Sequence, residues 1–453
     1  MENSLDSKEK FYKRMLSLAL PIMIQNLISS SLNMVDTMMI GKLGEVEIAS
    51  VGLANQFYFL FSLFIFGLNS GCAIFIAQFW GKKDVKSIRK VLGLCIILGS
   101  LGAVFFTVAA LIFPTKVMEF FTKDNQVILL GVEYLQIVGW SYVITAISFA
   151  FSFASRSIGR AKLPMVTSAV ALICNTVFNA ILIFGKLGFP VLGVKGAAIA
   201  TVIARIIEMI LILSVTYIRK TALAGKLNEF CDLSKEFIFS ILKTIYPVVI
   251  NEIFWSLGIT MYSVAYAKIS TNAVATFQIA GTVQNIFTVA AFGLANACAV
   301  MIGNEIGANR EENAMVFAKR FVKVSFSLGI LIGILLFVSS SSIVSLYNVS
   351  PEVIRSAKII LRVYSFVMPF RMLSSLFIVG ILRSGGDTKY SLMLEMSGVW
   401  GVGVPIAFLG ALVFKFPIEL IVSLVYLEEL VKISFCFPRL FSRKWIKNLV
   451  RDI

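Results

Sequence analysis

The sequence predicts an all-α integral membrane protein, with twelve transmembrane helices in two parallel six-helix repeats around a central cavity. Three observations predict it. Apolar stretches of spanning length recur along the whole chain, one pattern of residues is written twice, and basic residues collect on alternate loops. Of the 453 residues, 58% are hydrophobic, against about 45–50% apolar in a soluble domain. Runs such as "VLGLCIILGSLGAVFFTVAALIF" (91–113) and "VSFSLGILIGILLFVSS" (324–340) approach or exceed the roughly 20 residues that cross a bilayer as a helix. Backbone groups in lipid must be satisfied internally, so spans are helices or a closed barrel. These runs are continuous and lack the alternation of barrel strands, which selects helices.

The first repeat is expected to span at 14–40, 50–78, 91–113, 126–154, 163–185 and 195–218. The second is expected to span at 238–266, 274–303, 322–346, 359–382, 390–414 and 417–438. Three anchors carry the duplication. "LALPIMIQNLISSSLN" from Leu18 matches "TIYPVVINEIFWSLGI" from Thr244, setting Pro21 against Pro247 at an offset of 226. "FGLNSGCAIFIAQFWGKKD" from Phe66 matches "FGLANACAVMIGNEIGANRE" from Phe292 at the same offset. "RSIGRAK" (156–162) matches "RSGGDTK" (383–389) at 227. A repeat of six spans enters the membrane each time in the same orientation, so the halves are parallel repeats, and sites are expected near the midplane. The predicted domains are a first half (1–218), a cytoplasmic linker (219–237) and a second half with a basic cytoplasmic tail (238–453).

The net charge of +16 has a topological explanation. The loops on the side carrying both termini hold 27 Lys and Arg, against 10 on the other side. By the positive-inside rule both termini face the cytoplasm, and nucleic-acid binding is not implied. The six cysteines have no paired spacing and read as small packing residues. Without histidine there is no Ser-His-Asp triad. No "GxxxxGK[ST]" pattern occurs, which speaks against ATP-driven pumping. The chain is expected not to be an enzyme and to need no cofactor. An ion gradient, of Na⁺ or H⁺, is the expected energy source. The first span is too long for a signal peptide, and a bacterial plasma membrane location, with the chain working as a monomer, is expected.

An ionisable residue inside a membrane helix is a functional candidate by default. Asp36 on span 1 and Glu252 on span 7 are deep carboxylates at different heights, one in each half. Asn175 and Asn179 on span 5 are four residues apart and share a helix face. With Asp36 they form either an oxygen cage for Na⁺ or a hydrogen-bonded pocket around a protonatable carboxylate. The same residues also suit ordinary interhelical hydrogen bonding. Thr201 on span 6 is an additional candidate. Glu252 is followed by Trp255 and Tyr262, and a carboxylate with aromatic faces attracts organic cations. Arg205 and Glu208 are spaced to pair, as are Glu428, Glu429 and Lys432. Glu133 and Lys243 can snorkel from span ends. Arg371 and Glu395 are deep and have no assigned role. Met34, Met38 and Met39 near Asp36 are packing residues of a kind that also lines promiscuous cavities.

The stretches "LALPIMIQNLISSSLNMVDTMMIGKLGEVEIASVGLA", "YPVVINEIFWSLG" and "ILRSGGDTKY", with the NxxxN of span 5, together resemble the multidrug and toxic compound extrusion (MATE) family. The likeness covers nearly the whole chain. It implies a secondary antiporter that exports small organic cations or drugs in exchange for Na⁺ or H⁺. Asp36, Asn175, Asn179 and Glu252 fall on the family's coupling positions. Asn179 stands where some members carry Asp, which leaves the first-half site one charge weaker. Met372 stands where some members carry an acidic residue on span 10. The alternative is a flippase of lipid-linked oligosaccharide or peptidoglycan precursors, a related fold with a more cationic cavity and often extra spans.

Overall fold

A computed structural model describes residues 2–347 and 349–451, with side chains described from residue 9 onward, residue 33 apart. Among the described residues there are helices and loops but no strand. The first part runs α1 (Glu2–Ile40), α2 (Glu45–Lys82), α3 (Val85–Ile112), the short α4 (Pro114–Phe121), α5 (Asn125–Val138), α6 (Ser141–Ser157), α7 (Lys162–Phe184) and α8 (Gly193–Ile218). A five-residue α9 (Leu227–Cys231) lies in the linker. It is followed by α10 (Lys235–Ala267), α11 (Thr271–Gly307), α12 (Glu311–Val344) and α13 (Pro351–Ser375), which continues into wide π-helical turns over Leu376–Leu382. One further run holds α14 (Thr388–Glu395), π-helical turns at Met396–Gly403, α15 (Val404–Phe408) and π-helical turns at Leu409–Val413. The helices α16 (Ile418–Val425) and α17 (Leu427–Phe441) follow.

Ten of these helices are long and apolar enough to cross a membrane, and α5 with α6 makes an eleventh span bent by 51°. The bend was not expected within 126–154. It falls at Gly139–Trp140, where Thr107 donates a hydrogen bond to the Gly139 carbonyl at 3.0 Å. The same carbonyl also accepts from the Tyr142 backbone N–H at 3.2 Å, so the Thr107 hydroxyl adds a second bond at the break. The twelfth expected span falls on α16 and α17, which at 8 and 15 residues are each too short to cross a membrane alone, and α17 carries Glu428, Glu429 and Lys432. Large apolar side chains stand exposed along whole faces, among them Leu101, Phe105 and Ile112 on α3 and Leu331, Ile334 and Val338 on α12. Such faces belong in lipid.

By packing, the chain divides into two units, Ile24–Leu242 and Met1–Met23 with Lys243–Ile453. The boundaries therefore fall inside α1 and α10, close to Pro21 and Pro247, rather than at 218 and 238. A proline removes one backbone donor and weakens its helix locally. The first turns of each long helix are held by aromatic contacts. In one unit, Phe11 packs on Phe317 and Phe321, with Arg320 over its ring at 5.3 Å. In the other, Phe237 stacks on Phe79, with Lys90 over its ring at 5.9 Å. Phe11 and Phe237 are 226 residues apart, so the duplication carried this anchor with it.

Lipid tails are as apolar as leucine, so helices associate through close packing. In the Ile24–Leu242 unit, Phe61 stacks on Tyr142 at 5.0 Å between centroids, and Ala103, Ala146, Ala197 and Ala198 fill the space around them. In the other unit, Gly329 and Gly333 of α12 meet the backbone of α13. A Cβ at Gly329 would lie 2.6 Å from Pro369 Cα, and one at Gly333 would lie 2.4 Å from the Ser365 carbonyl. Any side chain there drives the two helices apart. The basic C-terminal segment folds onto the "RSGGDTK" loop. Asp387 accepts from Arg439 at 2.7 Å and from Lys447 at 2.6 Å, and Trp445 is fully buried.

The linker is also docked. Arg89 of α3 donates to the Ala222 carbonyl at 3.1 Å and to Glu229 at 2.6 Å, and Lys90 pairs with Asp232 at 2.8 Å. The Lys226 backbone N–H and then Arg89 hold the Glu229 carboxyl below the usual range. Lys90, aided by Lys86, does the same for Asp232. Depressed folded values mean that this docking is at full strength above the unfolded carboxylate range, roughly pH 4. It is lost as pH falls through the folded values. Hydrogen-exchange protection of residues 222–234 is expected to be flat from neutral pH to about 5 and to fall below about 4. Arg89→Ala should lower it throughout. Protection that begins to drop near neutral pH would contradict this assignment.

Candidate functional site

In the Ile24–Leu242 unit, three of the four residues singled out as coupling candidates come together. Asp36 lies near the end of α1, where its neighbours Met34 and Met38 are exposed and Met39 packs partly into the core. Asn175 and Asn179 lie on consecutive turns of α7 and are fully buried. The Asn179 amide nitrogen donates to Asp36 Oδ1 at 2.5 Å and to Asn175 Oδ1 at 3.0 Å. One amide thus bridges the two acceptors. Its own oxygen, and the amide nitrogen of Asn175, are buried without a hydrogen-bond partner among the described residues. An unmet buried polar atom costs about 1–3 kcal/mol, so this arrangement holds capacity for a further ligand or for rotation of the amides.

Thr201 is half-buried on α8, and its hydroxyl donates to the Ala197 carbonyl one turn back at 3.0 Å. Its proton is therefore not offered to Asp36. Tyr134 of α5 stands against Thr201 and within the field of Asp36 and Arg205. Arg205 pairs with Glu208 at 3.0 Å, as their spacing suggested, and reaches the Tyr58 hydroxyl at 3.4 Å. From Glu208 a chain of buried bonds runs on through the same unit. Ser168 donates to Glu208 at 2.7 Å, Gln25 donates to Ser168 at 3.0 Å, and Arg156 donates to Gln25 at 2.6 Å. Sequence reasoning missed Gln25, Tyr58, Tyr134, Arg156 and Ser168. The signal for two of them was present, since Gln25 follows Pro21 by one turn and Arg156 opens "RSIGRAK".

Glu252 has different surroundings from those expected. It is buried on α10 in an ion pair with Arg383 at 2.7 Å. Tyr262 does not accompany it, because its hydroxyl donates to Glu428 at 2.5 Å. Trp255 is half-buried, with no hydrogen bond or ring contact to Glu252 among the described residues. The repeat gives the physical reason. Arg383 lies 227 residues after Arg156, while in the 226-residue register of the prolines Gln25 matches Asn251 and Glu252 falls one position further on, opposite Asn26. Both halves thus clamp the first helix just past its proline with an arginine from the same loop. The partner differs in chemistry, an amide in one and a carboxylate in the other, and is shifted by one position along the helix.

The MatE family model matches residues 21–181 and 247–409. The two matches begin at Pro21 and Pro247, in the register of the repeat, and together cover well over half of the chain. The chain belongs to the MatE family. It is a multi-pass membrane transporter and not an enzyme. It is 25% identical over 438 residues to an uncharacterized transporter, YisQ, of Bacillus subtilis, covering 95% of this chain and 94% of that one. It is 23% identical over 445 residues to a probable multidrug resistance protein, NorM, of Thermotoga maritima, covering 97% and 94%. In fold it is similar to the bent form of the Vibrio cholerae MATE transporter VcmN, with a TM-score of 0.87 at 18% identity over 98% of this chain and 100% of that one. MatE architecture is consistent with twelve helices, the last of them carrying the charges of α17.

The two arginine clamps make unequal demands. Removing Arg383 strands a buried carboxylate, at a cost of about 3–5 kcal/mol. Removing Arg156 breaks a charge-assisted bond to a neutral amide, at about 1.5–3 kcal/mol. Arg383→Gln is therefore expected to lower the melting temperature of the detergent-purified protein more than Arg156→Gln. Adding Glu252→Gln should recover most of the Arg383→Gln loss. Equal losses, or no recovery in the double variant, would show that Glu252 does not depend on Arg383.

Proposed function

We propose that this chain is a secondary antiporter that exports small organic cations or drugs in exchange for a monovalent cation, H⁺ or Na⁺, with Asp36, Asn175 and Asn179 as the coupling site. The observation that carries this reading is the Asn179 amide bridging Asp36 and Asn175 with two amide atoms left unmet. The Asn179 N–H faces the carboxylate, which suits a charged, unloaded Asp36. Turning the Asn179 amide over brings its oxygen to the same place. That oxygen accepts a proton carried by Asp36 or becomes a ligand to Na⁺ beside the carboxylate. Loading the cation and holding a cationic drug then compete for one negative charge, which is a coupling free energy between two ligands.

The names of the multidrug relatives support drugs as substrates, and the surplus of basic residues on the terminal side supports a plasma membrane with both termini cytoplasmic. In this reading Glu252 acts through its pair with Arg383, and Thr201 supports the site through Tyr134. The test is ethidium efflux from inside-loaded proteoliposomes under an imposed Na⁺ or pH gradient. One gradient is expected to drive efflux in the wild type. Asp36→Asn is expected to reduce that efflux at least about tenfold, within the usual span of coupling energies, without unfolding the protein. Gradient-driven efflux that survives in Asp36→Asn would move the coupling site elsewhere. No efflux under either gradient, with flipping of lipid-linked precursors instead, would replace this reading altogether.

A further inference from the structure

The charged residues of α17 form a second titratable centre, independent of the one around Asp36. Glu428, Glu429 and Lys432 are all buried there, and Arg371 of α13 and Glu395 at the end of α14 join them. Arg371 pairs with Glu429 at 2.5 Å, and Lys432 pairs with Glu395 at 3.0 Å. The remaining separations from Lys432 are longer, 3.6 Å to Glu428 and 3.8 Å to Glu429. Three carboxylates thus face two cations, and Glu428 is the carboxylate left without a close cation of its own. Its nearest hydrogen-bond partner is the neutral Tyr262 hydroxyl at 2.5 Å. Buried ionic groups are stable when their charges are matched, and this cluster is one positive charge short.

The surroundings are built around that carboxylate. A Cβ on Gly403 would lie 2.0 Å from the Tyr262 hydroxyl oxygen and 2.6 Å from Glu428 Oε2, and one on Gly398 would lie 2.3 Å from Lys432 Cε. Both glycines sit in the π-helical turns Met396–Gly403, a form that recurs at functional sites. The Tyr266 hydroxyl, on a side chain 1% exposed, lies in the field of Glu428 and has no hydrogen-bond partner among the described residues. Glu429 Oε2 is buried and likewise unmet. Tyr364, Tyr426 and Cys436 complete the titratable groups facing the cluster from α13, from the junction of α16 with α17, and from α17 itself. No group of three or more metal-ligating side chains is present among the described residues, and the smallest ligand that supplies one positive charge is a proton.

We propose that Glu428 is a proton-binding site of the second half, holding the proton that brings the five-charge cluster to neutrality and releasing it to water. Uptake and release switch the sum of the cluster between zero and one negative charge, with Tyr262 hydrogen-bonded to Glu428 Oε2.

The test is infrared difference spectroscopy on the full-length protein in detergent, stepped between neutral and alkaline pH, in an Asp36→Asn background. Exposed carboxylates are already ionised across that step, and the background removes the Asp36 carboxyl. A protonated-carboxyl stretch that shifts on deuteration is expected, lost when Glu428→Gln is added and moved in frequency by Tyr262→Phe. The Tyr262→Phe arm keeps the test open should Glu428→Gln fail to fold. Absence of the band in Asp36→Asn overturns the proposal. So does a band that survives Glu428→Gln, one that disappears only with Glu395→Gln, or one that Tyr262→Phe leaves in place. None of these readouts involves transport, so they are separate from the efflux result.

Discussion

A charge removed from water inside a membrane protein must meet an opposite charge, a proton or a set of hydrogen bonds, and the buried architecture of this chain is organised by that requirement. Asp36 is met by the amide of Asn179. Glu208 is met by Arg205 and Ser168. Glu252 is met by Arg383, and Glu429 and Glu395 by Arg371 and Lys432. Each match joins two elements, so meeting the charges also fixes the helices against each other within a unit. Because association in lipid gains little from burying apolar surface, these links and the close approach of Gly329 and Gly333 to α13 carry much of the specificity that a hydrophobic core supplies in a soluble protein.

The two repeats show what duplication retains and what it lets diverge. The arginine of the "RSIGRAK" and "RSGGDTK" loops reaches the first helix just beyond its proline in both halves. Phe11 and Phe237 anchor the first turns in both. The chemistry attached to this common frame differs. At its candidate site the first half answers Asp36 with the neutral amide of Asn179, an arrangement that reorganises easily because an amide rotates and carries no net charge. The second half surrounds its carboxylates with fixed cations and leaves one of them short. A neutral shell suits exchange of ions, whereas a fixed ionic shell suits a defined charge state with one site open to a proton.

Much of the fold was legible because it follows from one-dimensional properties. Apolar length, the 226-residue register and the bias of Lys and Arg are each readable without knowing which side chains touch. The bend at Gly139 was not legible in the same way, nor were the partners that other helices bring to the charges of the twelfth span. Thr107 reaches the bend from another helix, and the charges of α17 are met by Arg371 and Glu395, which also arrive from other helices. At the first-half site, the helical spacing of Asn175 and Asn179 already put both on one face, and Asp36 was notable by itself. Its joining to them needed a separation of 143 residues to close at 2.5 Å. For Glu252 the local sequence was misleading. Nearby Trp255 and Tyr262 suggested an aromatic cation site, while the actual partners, Arg383 for Glu252 and Glu428 for Tyr262, lie 131 and 166 residues away along the chain.

The sequence by itself determined that the chain is helical, spans a membrane many times and is duplicated, while its placing among transporters came from the likeness of its motifs to the MATE family. Those properties rest on composition, period and repetition, which are sums over many residues and survive any error about a single contact. Tertiary structure alone decided which carboxylate is answered by which group. A deep Asp or Glu reads the same in sequence whether an amide, an arginine or a tyrosine hydroxyl faces it. The difference is set by distances of a few ångströms between distant segments, and at low dielectric those distances govern whether a group stays charged, binds an ion or carries a proton.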